Sequence, residues 1–115
     1  DLVSGKGANI MRRVLDKLDE FDVEVPFSQP AHFVPEDSEL VKGLKQAYEE
    51  VMGEPAACKT MGGATYARAF PNAVAFGPLF PGQVGTEHNA NEYIEIESLI
   101  KLADIIANAI LILCT

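Results

Sequence analysis

Apolar residues recur along much of this chain at helical spacing, and the places where that spacing breaks divide it into segments. From about Gly7 to Glu20, Ile10, Val14, Leu18 and Phe21 fall four, four and three residues apart, which predicts a helix with one buried face. The following VEVPFSQPAHFVPED alternates at Val23 and Val25 as a strand would, and its Pro26, Pro30 and Pro35 prevent continuation as a helix or a central strand. Asp37 or Ser38 is placed to cap a second helix carrying Leu40, Val41, Leu44, Ala47, Tyr48 and Val51, which Gly53 and Pro55 end. Next come an apolar segment from Ala57 to Met61, a break at Gly62-Gly63 and a single helical turn near Tyr66 to Phe70. A buried strand over Ala73, Val74, Ala75 and Phe76 follows. Beyond a loop punctuated by Pro and Gly, Leu99, Leu102, Ile106, Ala109, Ile110 and Leu113 predict a helix from Glu97 to Leu113, apolar around much of its circumference.

This alternation of helices and short apolar strands predicts α/β architecture with parallel strands, because such strands need both faces covered. About two strands after the proline-rich linker are too few to bury these helices. The remaining strands would come from a second copy of the chain or from a longer parent polypeptide.

Composition narrows the partners. Seventeen acidic against nine basic residues give a net charge of −8, which disfavours nucleic acid and anionic lipid surfaces. Lys101, Asp104 and Asn108 interrupt the last apolar segment, so it is not expected to span a bilayer. Lys6, Arg12 and Arg13 lead into an amphipathic pattern with acids rather than a signal peptide, and a cytoplasmic location is expected. Cys58 and Cys114 form no CxxC pair and are expected to be buried free thiols.

Chemistry concentrates between residues 62 and 94. Gly62 and Gly63 can take up positive φ and let a ligand approach their N–H groups, although taken alone they read first as a plain tight turn. Thr65, Tyr66 and Arg68 add hydroxyls and a guanidinium suited to a carboxylate, so the stretch reads as an anion cradle. Arg68 could instead pair with a surface acid. His88 follows the loop and could ligate zinc, but a zinc site needs three or four ligands. Glu87 reads as solvated, whereas Glu92 could orient an imidazole or brace the last helix; His32, between two prolines, has less claim. No Ser/His/Asp set, Walker loop or HExxH is present.

The ordered series Gly62-Gly63-Ala64-Thr65-Tyr66-Ala67-Arg68, Pro71-Asn72-Ala73-Val74-Ala75-Phe76-Gly77, His88 and Asn91-Glu92-Tyr93-Ile94 resembles the C-terminal region of the di-zinc aminoacylase/carboxypeptidase-type metallopeptidases. The TYAR form is most similar to their peptidase V-type bacterial dipeptidases. The similarity extends upstream through PAHFVPEDSELVKGLKQAYEEVMGEP. The resemblance implies that residues 1–35 are the end of a lid domain, a helix, an edge strand and a linker. Residues 36–115 would then be the C-terminal portion of a mixed, largely parallel sheet flanked by helices, as in zinc exopeptidases.

It further implies a metal-dependent dipeptidase acting on short peptides with two zinc ions, manganese being the alternative. His88 matches the last histidine ligand, and Gly62, Gly63, Thr65 and Arg68 match the substrate-side loop. No catalytic residue is carried over, because the general base and the other ligands of such enzymes lie in an N-terminal half that nothing here matches. Ala64 stands where the peptidase V-type loop usually has a third glycine, and Asn89-Ala90 replaces a Gln-Pro pair. The chain is thus expected to be an inactive fragment that needs the N-terminal part of the same polypeptide. The alternatives are an assembly module that forms homo-oligomers through an exposed sheet and the apolar last helix, and a small thiol enzyme using Cys58.

Overall fold

The computed structural model describes residues 12–18, 20 and 31–115. The chain divides into two compact units, Asp1–Phe33 and Val34–Thr115. In the first, residues 12–15 are helical and the Asp16 N–H donates to the Arg12 carbonyl at 2.8 Å. The strand expected at Val23 and Val25 lies outside the described residues.

The second unit is built on two helices, α1 (Glu39–Met52) and α2 (Ile96–Leu113), with a single 3₁₀ turn, Tyr66–Ala69, between them. Both ends of α1 are closed by residues suited to the task. The Ser38 hydroxyl accepts from the Val41 N–H at 3.3 Å, satisfying a donor that has no partner within the helix. Gly53 follows at φ 71°, and its N–H donates to the Glu49 carbonyl at 2.9 Å. Left-handed backbone of this kind costs a glycine nothing.

The helices pack through small residues. Ala47 is fully buried, with Val41 and Gly43 beside it on α1; Ile105 and Ala109 face them from α2. A Cβ placed on Gly43 would lie 2.9 Å from Leu113 Cγ and 3.4 Å from Ile112 Cγ2, so glycine here permits close approach of the backbones. Asn108 of α2 donates to the Ala47 carbonyl at 3.5 Å and to Glu50 Oε2 at 2.8 Å. Contacts therefore run from Gly43 with Leu113 to Ala47 with Asn108, the order expected of antiparallel neighbours. Burial of Ile105 contributes about 1.5–3 kcal/mol. Only one face of α2 is used. Ile96, Leu99, Ile100, Ile106, Ile110 and Leu111 remain exposed on the rest of its circumference.

No strand is present among the described residues, which corrects the expected α/β fold with its largely parallel sheet. Ala73, Val74 and Phe76 are half-buried and Ala75 is exposed. They pair with no neighbouring strand, and Gly77 at their end lies against Leu102 of α2. A Cβ on Gly77, at φ 78°, would meet Leu102 Cδ1 at 2.8 Å, so both the conformation and the space at this position call for glycine. The segment from Ala57 to Met61 likewise enters no ladder. Apolar patterning reports that a segment could face a core, whereas a strand also needs a partner to receive its hydrogen bonds.

Candidate functional site

The stretch from Gly62 to Phe70 is locally ordered and open to solvent. Thr65 Oγ1 accepts from the Ala67 N–H at 3.2 Å and so caps the 3₁₀ turn, which the Arg68 N–H and Thr65 carbonyl close at 3.1 Å. Thr65 thereby determines where Arg68 leaves the backbone; the Arg68 side chain is half-buried. Tyr66 projects at 94% exposure. Gly62 and Gly63 sit at bends outside the left-handed region, which Gly53, Gly77 and Gly82 occupy. No atom lies within 4 Å of a Cβ built on Gly62, so open space rather than crowding surrounds it. A ligand could reach its backbone.

His88 occupies a second structure, a loop from Thr86 to Tyr93. The Thr86 hydroxyl donates to the Tyr93 carbonyl at 3.0 Å and accepts from the Tyr93 N–H at 3.2 Å, tying the two ends of the loop together. Inside this closure the Asn89 N–H donates to the Thr86 carbonyl at 3.3 Å and the Asn89 amide donates to the Glu87 carbonyl at 3.0 Å. His88 and Asn91 both adopt left-handed backbone, at φ 63° and 61°. Outside glycine this region is populated chiefly by Asn, Asp and His, at a cost of about 1–2 kcal/mol. The imidazole is presented on the exposed side of the loop.

The neighbouring acids divide as follows. The Glu87 carboxylate folds back over Gly85, where an added Cβ would meet Oε1 at 2.7 Å, while Glu92 is exposed. Glu95 occupies the N-cap position of α2 without a capping side-chain bond, so neither it nor Glu92 closes that end. Gln83 anchors the preceding turn instead. Its side-chain amide donates to the Ser98 hydroxyl at 2.7 Å and its Oε1 accepts from the Phe80 N–H at 3.0 Å. Cys58 and Cys114 are free thiols, and both are exposed rather than buried as expected. Away from the loop, hydrogen bonds from Asn108 and then Gln46 hold the Glu50 carboxyl below the usual carboxylate range. Burial, followed by the Glu54 carboxylate accepting the phenol hydrogen bond, raises Tyr48.

A capped turn bearing Arg68 and a histidine displayed on a closed loop thus follow one another along the chain. The sequence profile of peptidase family M20/M25/M40 matches residues 3–112. The chain belongs to this family. A protein of Bacillus subtilis (strain 168) bearing the name "Putative dipeptidase YtjP" is 40% identical over 104 residues, 90% of this chain and 22% of its own length. A dipeptidase homologue of Staphylococcus haemolyticus (strain JCSC1435), named in the same terms, is 37% identical over 94 residues, covering 82% of this chain and 20% of that protein. One from Staphylococcus aureus (strain USA300) is 33% identical over 106 residues, 90% and 23% of the two chains. The chain therefore spans about a fifth of the length of the curated relatives it matches. No solved structure matches it.

M20 peptidases are generally metal-dependent. Among the described residues no group of three or more His, Cys, Asp and Glu side chains is gathered in one place. His88 offers a single imidazole, and one ligand does not fix a zinc ion. Among the described residues, no helix is long and apolar enough to cross a membrane. Thr86, which closes the loop, was not among the residues singled out by motif. The signal for it was a hydroxyl residue two positions before the histidine.

Proposed function

We propose that this chain is the C-terminal part of a zinc-dependent dipeptidase that hydrolyses short peptides, acting in the cytoplasm. Residues 1–35 are the end of its lid domain and residues 36–115 the closing part of its catalytic domain. His88 supplies one metal ligand, while Gly62, Gly63, Thr65 and Arg68 form part of the substrate wall. The remaining ligands and the general base belong to the rest of the polypeptide, so the 115 residues alone are inactive. The observation that carries this reading is the family match over residues 3–112 in a chain whose described residues gather no metal-binding set. The open backbone at Gly62 and the capped turn bearing Arg68 support a role in holding the substrate's backbone or carboxylate.

The test is complementation. The chain is mixed with the N-terminal part of the same polypeptide, and dipeptide hydrolysis is followed with and without added zinc. Turnover that requires both parts is expected. Metal-dependent turnover by the 115-residue chain alone would refute the fragment reading. A second reading, an assembly module that pairs with a copy of itself, is favoured by the exposed apolar face of α2; it no longer includes a sheet edge. A stable homodimer indifferent to the N-terminal part would establish it.

A further inference from the structure

We propose that Thr86 is the positioning residue for His88, setting the direction of the imidazole by locking the loop on which it stands. The proposal rests on the reading of His88 as a metal ligand. Four hydrogen bonds are seen in the segment from Thr86 to Tyr93, and Thr86 takes part in three of them. Its hydroxyl both donates to and accepts from Tyr93, and its carbonyl accepts from the Asn89 N–H. The fourth, from the Asn89 amide to the Glu87 carbonyl, lies inside the loop and does not join its ends.

The loop gains little from packing. Residues 87–93 are all exposed, and Thr86 is the half-buried member at its neck. A left-handed His88 needs surroundings that determine it, because the same residue in an unconstrained loop returns to ordinary backbone at lower energy. Such a return would swing the imidazole away from its present direction. The Thr86 hydroxyl is the group that joins the two ends, and it is matched to both backbone groups of Tyr93 at once. Valine has the same shape but lacks the donor and the acceptor; serine retains both. The device places a rigid histidine on an otherwise exposed loop without burying it.

The experiment uses the full-length polypeptide that contains this chain, with Thr86→Val, Thr86→Ala, Thr86→Ser and His88→Ala. Zinc affinity is measured by competition with a chelating dye, and amide exchange across residues 86–94 by mass spectrometry. For Thr86→Val and Thr86→Ala, faster exchange at Tyr93 is expected together with a loss of zinc affinity of about 10–100-fold, the range found when a group orienting a metal ligand is removed. Thr86→Ser is expected to restore both. If the hydroxyl-free variants exchange faster but bind zinc as the parent does, Thr86 is merely structural and the proposal is overturned; unchanged exchange overturns it as well. Unchanged zinc affinity in His88→Ala overturns the ligand reading itself and the proposal with it. A loss confined to His88→Ala overturns the role of Thr86 alone.

Discussion

Ile105 and Ile106 are adjacent, chemically identical and in the same helix, yet one is 2% exposed against α1 and the other, about 100° further round the helix, is 43% exposed. Truncating each to alanine therefore separates burial from every property the two share. Ile105→Ala removes three carbons from a packed site, a transfer loss of about 2.4 kcal/mol at ~0.8 kcal/mol per methylene. The residual cavity adds to this, and large-to-alanine substitutions in cores cost about 2–5 kcal/mol in total. Alanine's better helix propensity returns about 0.4 kcal/mol, which leaves a net loss of about 2–4 kcal/mol. For a unit of this size, that corresponds to a fall in melting temperature of about 8–30 °C. Ile106→Ala receives the same propensity gain and gives up roughly half as much buried surface, so a loss of about 1 kcal/mol or less is expected. Urea denaturation followed by far-ultraviolet circular dichroism measures both on one scale. An equal or larger loss in Ile106→Ala would show that the supposed outer face of α2 is the buried one in solution, and the assignment of the core would fall.

Two further outcomes follow from the polar contacts. The Glu50 carboxyl is held below its ordinary range in the folded chain by Asn108 and Gln46, so its contribution is fully present above the unfolded value, about 4.3, and is lost as pH falls through the folded one. Replacing it by Glu50→Gln should make the acid limb of stability, measured by thermal melts between neutral and acid pH, shallower than in the parent; parallel limbs would refute the linkage. Gln83→Ala leaves the Ser98 hydroxyl, at 5% exposure, without its donor, and an expected cost of about 1–3 kcal/mol should be partly recovered in Gln83→Ala/Ser98→Ala. Strict additivity of the two single changes in urea melts would show that the pair is not coupled.

Much of α1 and α2 is legible in the amino-acid sequence because the information that defines a helix is local. Ser38, the Leu40 to Val51 stripe and Gly53 lie within a few turns of one another, and the observed helix Glu39–Met52 ends where the glycine allows. The single turn near Tyr66 to Phe70 is present as the 3₁₀ turn Tyr66–Ala69, capped by Thr65. The segment from Ala73 to Phe76 shows the opposite case. The buried strand expected there is not formed, although Ala73, Val74 and Phe76 are half-buried, because a ladder depends on residues distant in sequence, which one segment cannot specify. The orientation of α2 was similarly hidden. Its apolar residues surround the axis, so spacing alone could not say that Ile105 and Ala109, rather than Ile106 and Ile110, would meet α1. At the site, family membership was readable from ordered motifs. The role of Thr86 was not, since hydrogen bonds to the backbone of Tyr93 leave no pattern in side-chain identity.

The outer face of α2 also sets how the folded state responds to temperature. The heat capacity of unfolding scales with apolar surface newly hydrated, and Ile96, Leu99, Ile100, Ile110 and Leu111 already meet water before the chain unfolds. Little new hydration remains for them to contribute. The second unit should accordingly unfold with a heat-capacity increment below the usual ~12–15 cal/mol/K per residue, and with a correspondingly shallow dependence on urea. Its stability curve would be broad and flat, changing little between refrigeration and body temperature, whereas a polypeptide that covers this face would have a sharply curved one.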